Sequence, residues 1–390
     1  MMSARASHGK IRTTHVGSLP RPVDLLDRMK TKLTTGEVDA NAYDASVRRA
    51  VDDIVRAQID NGVDILADGE MSKPGFFTYV QERLAGFEPR AGAGTKPFAA
   101  EVDAFPEYYE EYFRRAMFGG TLAPVLPMVC VGPVSYRGFD ALQKDLDNLK
   151  FALEKNGATR ADAFVPAVAP SGVGINEHYR NEEDYLHAVG AAMRVEYKRI
   201  VDAGFQLQVD DPFIADVFSD PALDDAQKKK RADLHVEVIN EALSGIPAER
   251  VRFHTCYGIN EGPRVHDAAL GDLVGHMLRV NAGMYSFEAA NCRHEHEYHL
   301  WETVKLPDGK VIMPGVITHA SNIVEHPELI AERIVRFANL VGRDNVIASA
   351  DCGFSSQACY HTEVHPTVMW TKFRAMAEGA ALATKKLWRN

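Results

Sequence analysis

Residues 311–351 read VIMPGVITHASNIVEHPELIAERIVRFANLVGRDNVIASAD, and the stretch holds one complete strand–helix–strand unit. Val311–Thr318 is a short apolar run, too short for a helix and interrupted by Pro and Gly. His326-Pro327-Glu328 then places Pro at a helix start, where its missing N–H costs nothing. Ile330, Ile334, Phe337 and Leu340 follow at helical spacing and form one apolar stripe. Val346–Asp351 is a second short apolar run. Runs without polar alternation are what strands buried on both faces require, and a helix between two of them makes a right-handed crossover in a parallel sheet.

The same unit recurs outward in both directions. Further extended runs are Ile11–Ser18, Asp64–Glu70, Val125–Tyr136, Ala163–Ser171, Phe205–Asp211, Val251–Cys256 and Met284–Glu288. Between them lie helical stripes such as Val47, Val51, Ile54, Val55 and Leu142, Leu146, Leu149, Leu153. Nine runs are one too many for an eight-stranded barrel. Val125–Tyr136 is set apart, because it follows a long irregular stretch and the run carries Pro127 and Pro133 just after Pro124. The expected fold is α/β, a (β/α)8 TIM barrel, with residues 72–124 as an insertion at the mouth after the second strand. Within it, Pro74–Ala123, with Tyr108, Tyr109, Tyr112 and Phe113, reads as an irregular excursion. Residues 1–390 read as one domain, since no linker, repeat or low-complexity tract divides them. A doubly wound open sheet is the rival, but no Gly-rich dinucleotide fingerprint follows the first run.

Composition narrows the class. The 390 residues are 46% hydrophobic and 25% charged, ordinary for a folded chain. A formal charge of −10 without a long basic run argues against nucleic acid or an anionic membrane as partner. No apolar stretch reaches membrane-spanning length, and the first residues lack the apolar core of a secretory signal. Five cysteines in so long a chain are not a disulfide scaffold, so a reduced, cytoplasmic protein is expected. A homo-oligomer is left open.

Chemistry concentrates late in the chain, where ten of the fifteen histidines lie between His254 and His365. His254-Thr255-Cys256 ends one run, Glu288 ends the next, and Asp351-Cys352-Gly353 ends the last. Residues two apart on a strand share a face, and all strands of a barrel end at one mouth. His254, Cys256, Glu288 and Cys352 are therefore expected around a common point. Two thiolates and an imidazole select zinc or another soft metal. A carboxylate as fourth ligand is harder and more easily displaced, which suits a reactive site. Buried His and free Cys that merely pack are the plain alternative.

These residues carry a resemblance. Val16-Gly17-Ser18-Leu19-Pro20, Asp68-Gly69-Glu70, Gln208-Val209-Asp210-Asp211-Pro212, His254-Thr255-Cys256, Phe287-Glu288, Gly315-Val316-Ile317-Thr318-His319 and Asp351-Cys352-Gly353 stand in the order found in the cobalamin-independent methionine synthase family. The chain resembles that family's catalytic barrel. The resemblance implies zinc on His254, Cys256, Glu288 and Cys352, and transfer of a methyl group to a small-molecule thiol such as homocysteine. It further implies Ser18, Glu70 and Asp210 as the pocket for an amino-acid thiol. Asp210 and His319 are then the catalytic pair, His319 as proton donor to the leaving group. Full-length members carry a second, N-terminal barrel, whereas 390 residues leave room for the catalytic one alone. A methyl-folate is thus one candidate alkyl donor among others. Short relatives also include epoxyalkane:coenzyme M transferases, so alkyl transfer to another thiol is the second reading. Arg12, Arg21 and Lys73 keep a sulfonate-bearing thiol in play. A zinc-stabilised binding protein without catalysis is the reading from another class, and a metal-free decarboxylase-type barrel a further rival.

The individual residues have plainer alternatives. Glu70 closes an apolar run and could be a buried salt bridge to a loop Lys or Arg. Asp210 and Asp211 face opposite sides, so one enters the mouth while the other holds a loop. Ser18 could begin a turn, and His319 could be a capping or loop histidine. The His294, His296, His299 cluster reads as a solvated polar face rather than a second metal site. Cys130, Cys292 and Cys359 read as packed thiols.

Overall fold

The computed structural model describes residues 9–93, 98–116, 120–258 and 261–388. Among the described residues nine strands are formed: β1 (Leu84–Pro89), β2 (Met128–Tyr136), β3 (Phe164–Val168), β4 (Ile175–Asn176), β5 (Gln206–Asp210), β6 (Val251–His254), β7 (Met284–Phe287), β8 (Val311–Ile317) and β9 (Ser349–Ala350). Six of them make one sheet in the order β3-β5-β6-β7-β8-β9, every neighbour parallel. Two further staves close it. Thr13 bridges Ala348, its carbonyl accepts from the N–H groups of Asp64 and Ile65, and Leu66 bridges Ala163. The result is a (β/α)8 barrel.

The staves are shorter than the sequence runs. The first two are held by single bridges, because Gly17 (φ +134°), Gly69 (φ +68°) and Glu70 (φ +58°) leave the extended region. β6, β7 and β9 end before Cys256, Glu288 and Cys352. These three residues therefore stand on the loops just above the strands.

The inward face changes character with height. Ile65, Ala67, Phe164, Met284, Val311, Met313 and Ile347 form a separate buried cluster, the apolar floor of the barrel. Arg252 lies across it, its guanidinium 3.6 Å from the Phe164 ring centroid and bonded to Thr14 Oγ1 (3.0 Å) and the His15 carbonyl (2.8 Å). One inward residue higher stand Asp210, His254 and Ser286. Around the barrel, Val47, Val51, Ile54 and Val55 are buried on helix Ala40–Asp60, and Leu142, Leu146, Leu149 and Leu153 on Phe139–Lys155. Ile330, Ile334 and Phe337 are buried on Pro327–Val341, whose His326 accepts the Glu328 N–H at the cap. Among the described residues no helix is long and apolar enough to cross a membrane.

The set-apart run becomes β2, outside the barrel as expected. It pairs antiparallel with β1 and parallel with β4. The excursion before it is less irregular than its sequence suggests, although residues 94–97 and 117–119 lie outside the described set. It contains β1 and helices Ala99–Ala104 and Pro106–Arg115. Tyr109 and Tyr112 anchor a small aromatic core of its own with Phe98, Phe105, Tyr108 and Phe113. Buried Glu101 accepts the N–H groups of Val265 and His266, and Tyr108 donates to the Glu261 carbonyl (3.0 Å). The excursion is thereby fastened to the loop after β6, over the mouth.

Candidate metal and substrate site

The C-terminal ends of the staves open into a cavity of about 280 Å³, whose lining includes Ser18, Glu70, Asp210, His254, Cys256 and Cys352. The ligand atoms of His254, Cys256 and Cys352 all lie within 4.8 Å of one another, and all three residues are buried. His254 is held by one ring nitrogen: Nδ1 meets Ser286 Oγ at 3.1 Å, while buried Nε2 has no hydrogen-bond partner. Burial, with Arg252 below, pushes the imidazole down to about 3, so it is neutral and a ready ligand. The Cys352 thiol is pushed well up by its contact with Cys256 and by burial. An orphaned imidazole nitrogen facing two sulfurs, with its other nitrogen fixed by a hydroxyl, fits a soft divalent metal. Ser286→Ala should weaken metal binding about ten- to a hundredfold without unfolding the protein, as chelator competition with parallel circular dichroism would record.

Glu288 stands elsewhere than expected. Its carboxylate groups with His319 and Asp351, their ligand atoms within 4.8 Å, rather than with the His–Cys–Cys triad. Oε1 accepts the Tyr257 N–H (3.2 Å), Oε2 accepts Asn291 Nδ2 (2.7 Å), and Arg293 lies 3.6 Å away. Burial outweighs Arg293 and raises the carboxyl to about 7. Asp351 clamps the same loop, accepting the Ala289 and Ala290 N–H groups (2.8 Å each) and Asn291 Nδ2 (3.1 Å). His319 is buried, and burial with nearby Arg293 drives its imidazole to about 3.

Ser18, Glu70 and Asp210 line one cavity, and Glu70 and Asp210 each have a further side-chain partner. Glu70 lines the cavity and also pairs with Lys73 Nζ (3.0 Å), which reaches the Pro166 carbonyl as well (2.6 Å). Its left-handed backbone is a strained state for a residue with a side chain, and strain of this kind is kept where a side chain must be aimed. Asp210 lines the cavity and accepts Gln208 Nε2 (2.9 Å); burial and then Glu70 push its carboxyl well up. Asp211 instead holds the loop, accepting from Ser171 and the Ile214 N–H (3.2 Å each). Ser18 is 5% exposed and faces Gly353, where a Cβ would come within 2.0 Å of the Ser18 hydroxyl oxygen. A side chain at 353 would force the Ser18 hydroxyl to turn away, so glycine here lets the loop that carries Cys352 lie against the first stave with that hydroxyl in place.

Two readings are corrected. His294 is not solvated: it is buried, stacks on Tyr257 at 3.8 Å, and bonds Glu297 (2.8 Å) and Asp267 (3.2 Å). Burial opposes its charge, but these two carboxylates win and raise it to about 9. His296 and His299 are exposed, as a polar face requires. Cys292 is exposed rather than packed, while Cys130 is buried. Asn291, Arg293 and Asp351 had no assigned role; only the nearness of Asn291 and Arg293 to Glu288 in sequence could have flagged them.

Fold and mouth together define a parallel barrel with a candidate soft-metal triad at its strand ends. The sequence profile of the cobalamin-independent synthase catalytic domain matches residues 11–95 and 171–373, and the chain belongs to that family. The methionine synthase of Sulfolobus acidocaldarius is 23% identical over 345 residues, 87% of this chain and 85% of the relative. That of Saccharolobus solfataricus is 22% identical, covering 97% and 96%. The B12-independent methionine synthase of Shewanella sp. W3-18-1, solved with selenomethionine, superposes with a TM-score of 0.73 at 19% identity, covering 97% of this chain and 99% of that one. A putative vitamin-B12-independent methionine synthase of Listeria monocytogenes gives 0.66 at 19% identity, covering 98% and 100%. The family profile skips residues 96–170, which include the aromatic core and β2.

Proposed function

We propose that this chain is a zinc-dependent methyltransferase whose acceptor is the thiol of homocysteine, acting as one cytoplasmic barrel domain with residues 72–124 as a mouth insertion. The observation that carries the reading is the His254–Cys256–Cys352 triad with its orphaned Nε2 at the floor of the cavity. His254, Cys256 and Cys352 would hold the metal, with Glu288 reaching it from the adjoining group. Bound zinc would favour the thiolate form of the acceptor at neutral pH. The chain does the rest. Asp210 and Glu70 receive the acceptor's ammonium, and the Ser18 hydroxyl donates to its carboxylate. Asp351 and Asn291 keep Glu288 beside the triad. The aromatic wall of the cavity would keep water from the nucleophile, and fixing both reactants in one small space would supply much of the rate.

A sulfonate thiol finds little here. Arg12 is spent on Asp162 at the far end of the barrel, Arg21 on the Ser355 and Lys73 carbonyls, and Lys73 on Glu70. An amino-acid thiol is favoured over a coenzyme-M-like one because Glu70 and Asp210 line the cavity, whereas Arg12, Arg21 and Lys73 do not. X-ray absorption at the zinc edge tests the reading directly, since homocysteine should add one sulfur to the metal shell. An unchanged count at saturation would make the metal structural. Asp210→Asn and Glu70→Gln should each lower kcat/KM about ten- to a hundredfold while leaving zinc content intact, because each removes one charged hydrogen bond. Wild-type thiol affinity in both variants would mean that the acceptor is not held by an amine.

A further inference from the structure

The outer half of the cavity has a chemistry that the acceptor does not use. Phe76, Phe77, Phe98 and Phe213 line it, each half-buried. Phe76 lies stacked on Phe213 with centroids 6.4 Å apart, and Phe77 meets Phe76 edge-on at 5.0 Å. The ring of Phe213 is placed by Gly172, whose absent Cβ would fall 1.9 Å from it. Asp216, one turn along the helix that Phe213 begins, and Glu363 also reach the lining. Among the described residues no Lys or Arg lines this cavity. Of the nearby cations, Arg264 pairs with Asp267 and already lies 5.0 Å from the Phe98 ring centroid, and Arg293 pairs with Asp267, which leaves the Phe76–Phe213 pair as the aromatic wall.

Aromatic faces with carboxylates at the rim, and no cation among the described lining residues, are surroundings that favour a methylated cation. Such a cation offers no N–H to bond, so ring quadrupoles are its best partners. The same lining repels the several carboxylates of a folate tail. A volume of about 280 Å³ also limits the occupants to compact molecules. We propose that the methyl donor is a small onium cation, a methylsulfonium or a quaternary methylammonium, held by the Phe76–Phe213 wall above the thiol. This rests on the homocysteine-methylating reading. The thiolate sulfur attacks a methyl carbon and the S–C bond forms. The bond from that carbon to the onium atom breaks, and its electron pair stays on the departing atom. A neutral thioether or tertiary amine leaves, and the thiol's proton has already passed to solvent.

The test uses zinc-loaded protein saturated with homocysteine. Calorimetry compares choline with 3,3-dimethylbutan-1-ol, which has carbon in place of the charged nitrogen. Mass spectrometry follows methionine formed from trimethylsulfonium, from tetramethylammonium and from methyltetrahydrofolate triglutamate. Choline should bind about tenfold or more tighter than its neutral twin, and Phe213→Leu should remove most of that preference. Methionine should form from at least one onium, and which one tells sulfonium from ammonium. Equal binding of choline and its twin, a preference untouched by Phe213→Leu, or methionine from the folate alone overturns the proposal and leaves homocysteine methylation standing. No methionine from either onium overturns it too. The sulfur count at the zinc edge then separates the two failures: a count that rises with homocysteine keeps the acceptor reading, and an unchanged count ends both.

Discussion

Replacing Cys256 or Cys352 by Ser should yield a folded protein that keeps little zinc. A hydroxyl is a hard, protonated ligand at neutral pH, whereas the triad offers two sulfurs and one nitrogen to a soft ion. Losing a direct ligand should cost more than the ten- to hundredfold typical of outer-shell changes, so affinity should fall about a hundredfold or further, and turnover with it. Metal content after dialysis, measured beside circular dichroism, separates this from unfolding. Both cysteines lie in a mouth built above an intact apolar floor, so the spectrum should hold. Full zinc retention in both variants would remove the site. Binding should also weaken as pH falls, because ligands must shed protons before they hold metal.

His319→Asn should separate chemistry from binding. The imidazole is buried beside Glu288 and Asp351 and outside the triad, so zinc content should be unchanged. For a donor whose leaving atom must take up a proton, as a folate amine must, kcat should fall about 10²–10⁴-fold with thiol affinity kept; with an onium donor, whose leaving atom takes no proton, kcat should stay near the wild-type value. The loss should track the donor and not the acceptor. A variant that turns over a folate donor at the wild-type rate would place the proton source elsewhere.

The sequence carried the barrel because each strand–helix unit repeats a local pattern. Val311–Ile317, helix Pro327–Val341 and the last stave form where the periodicity placed them. It also carried His254, Cys256 and Cys352, because every barrel strand ends at one mouth. The orientation of Glu288 was not legible. It depends on the Tyr257 amide, Asn291 and the Asp351 clamp, contacts made across loops. Burial of His294 escaped notice for the same reason, since one of its carboxylates, Asp267, comes from a distant loop. β1 hides in Leu84–Pro89, where Gly and Pro interrupt any alternation and only pairing with β2 makes a strand.

The closeness of Gly353 to Ser18 sets an order in time as well as in space. Cys352, the last sulfur of the candidate triad, sits at the seam where the final stave meets the first, Thr13 against Ala348. During synthesis His254 and Cys256 emerge well before Cys352, by several seconds at roughly 5–20 residues per second. A nascent chain therefore offers only part of a chelate until its two ends have docked. On the zinc-binding reading, acquisition of metal would report that the circle is closed, and a strong chelator should trap newly made protein far more readily than the finished one.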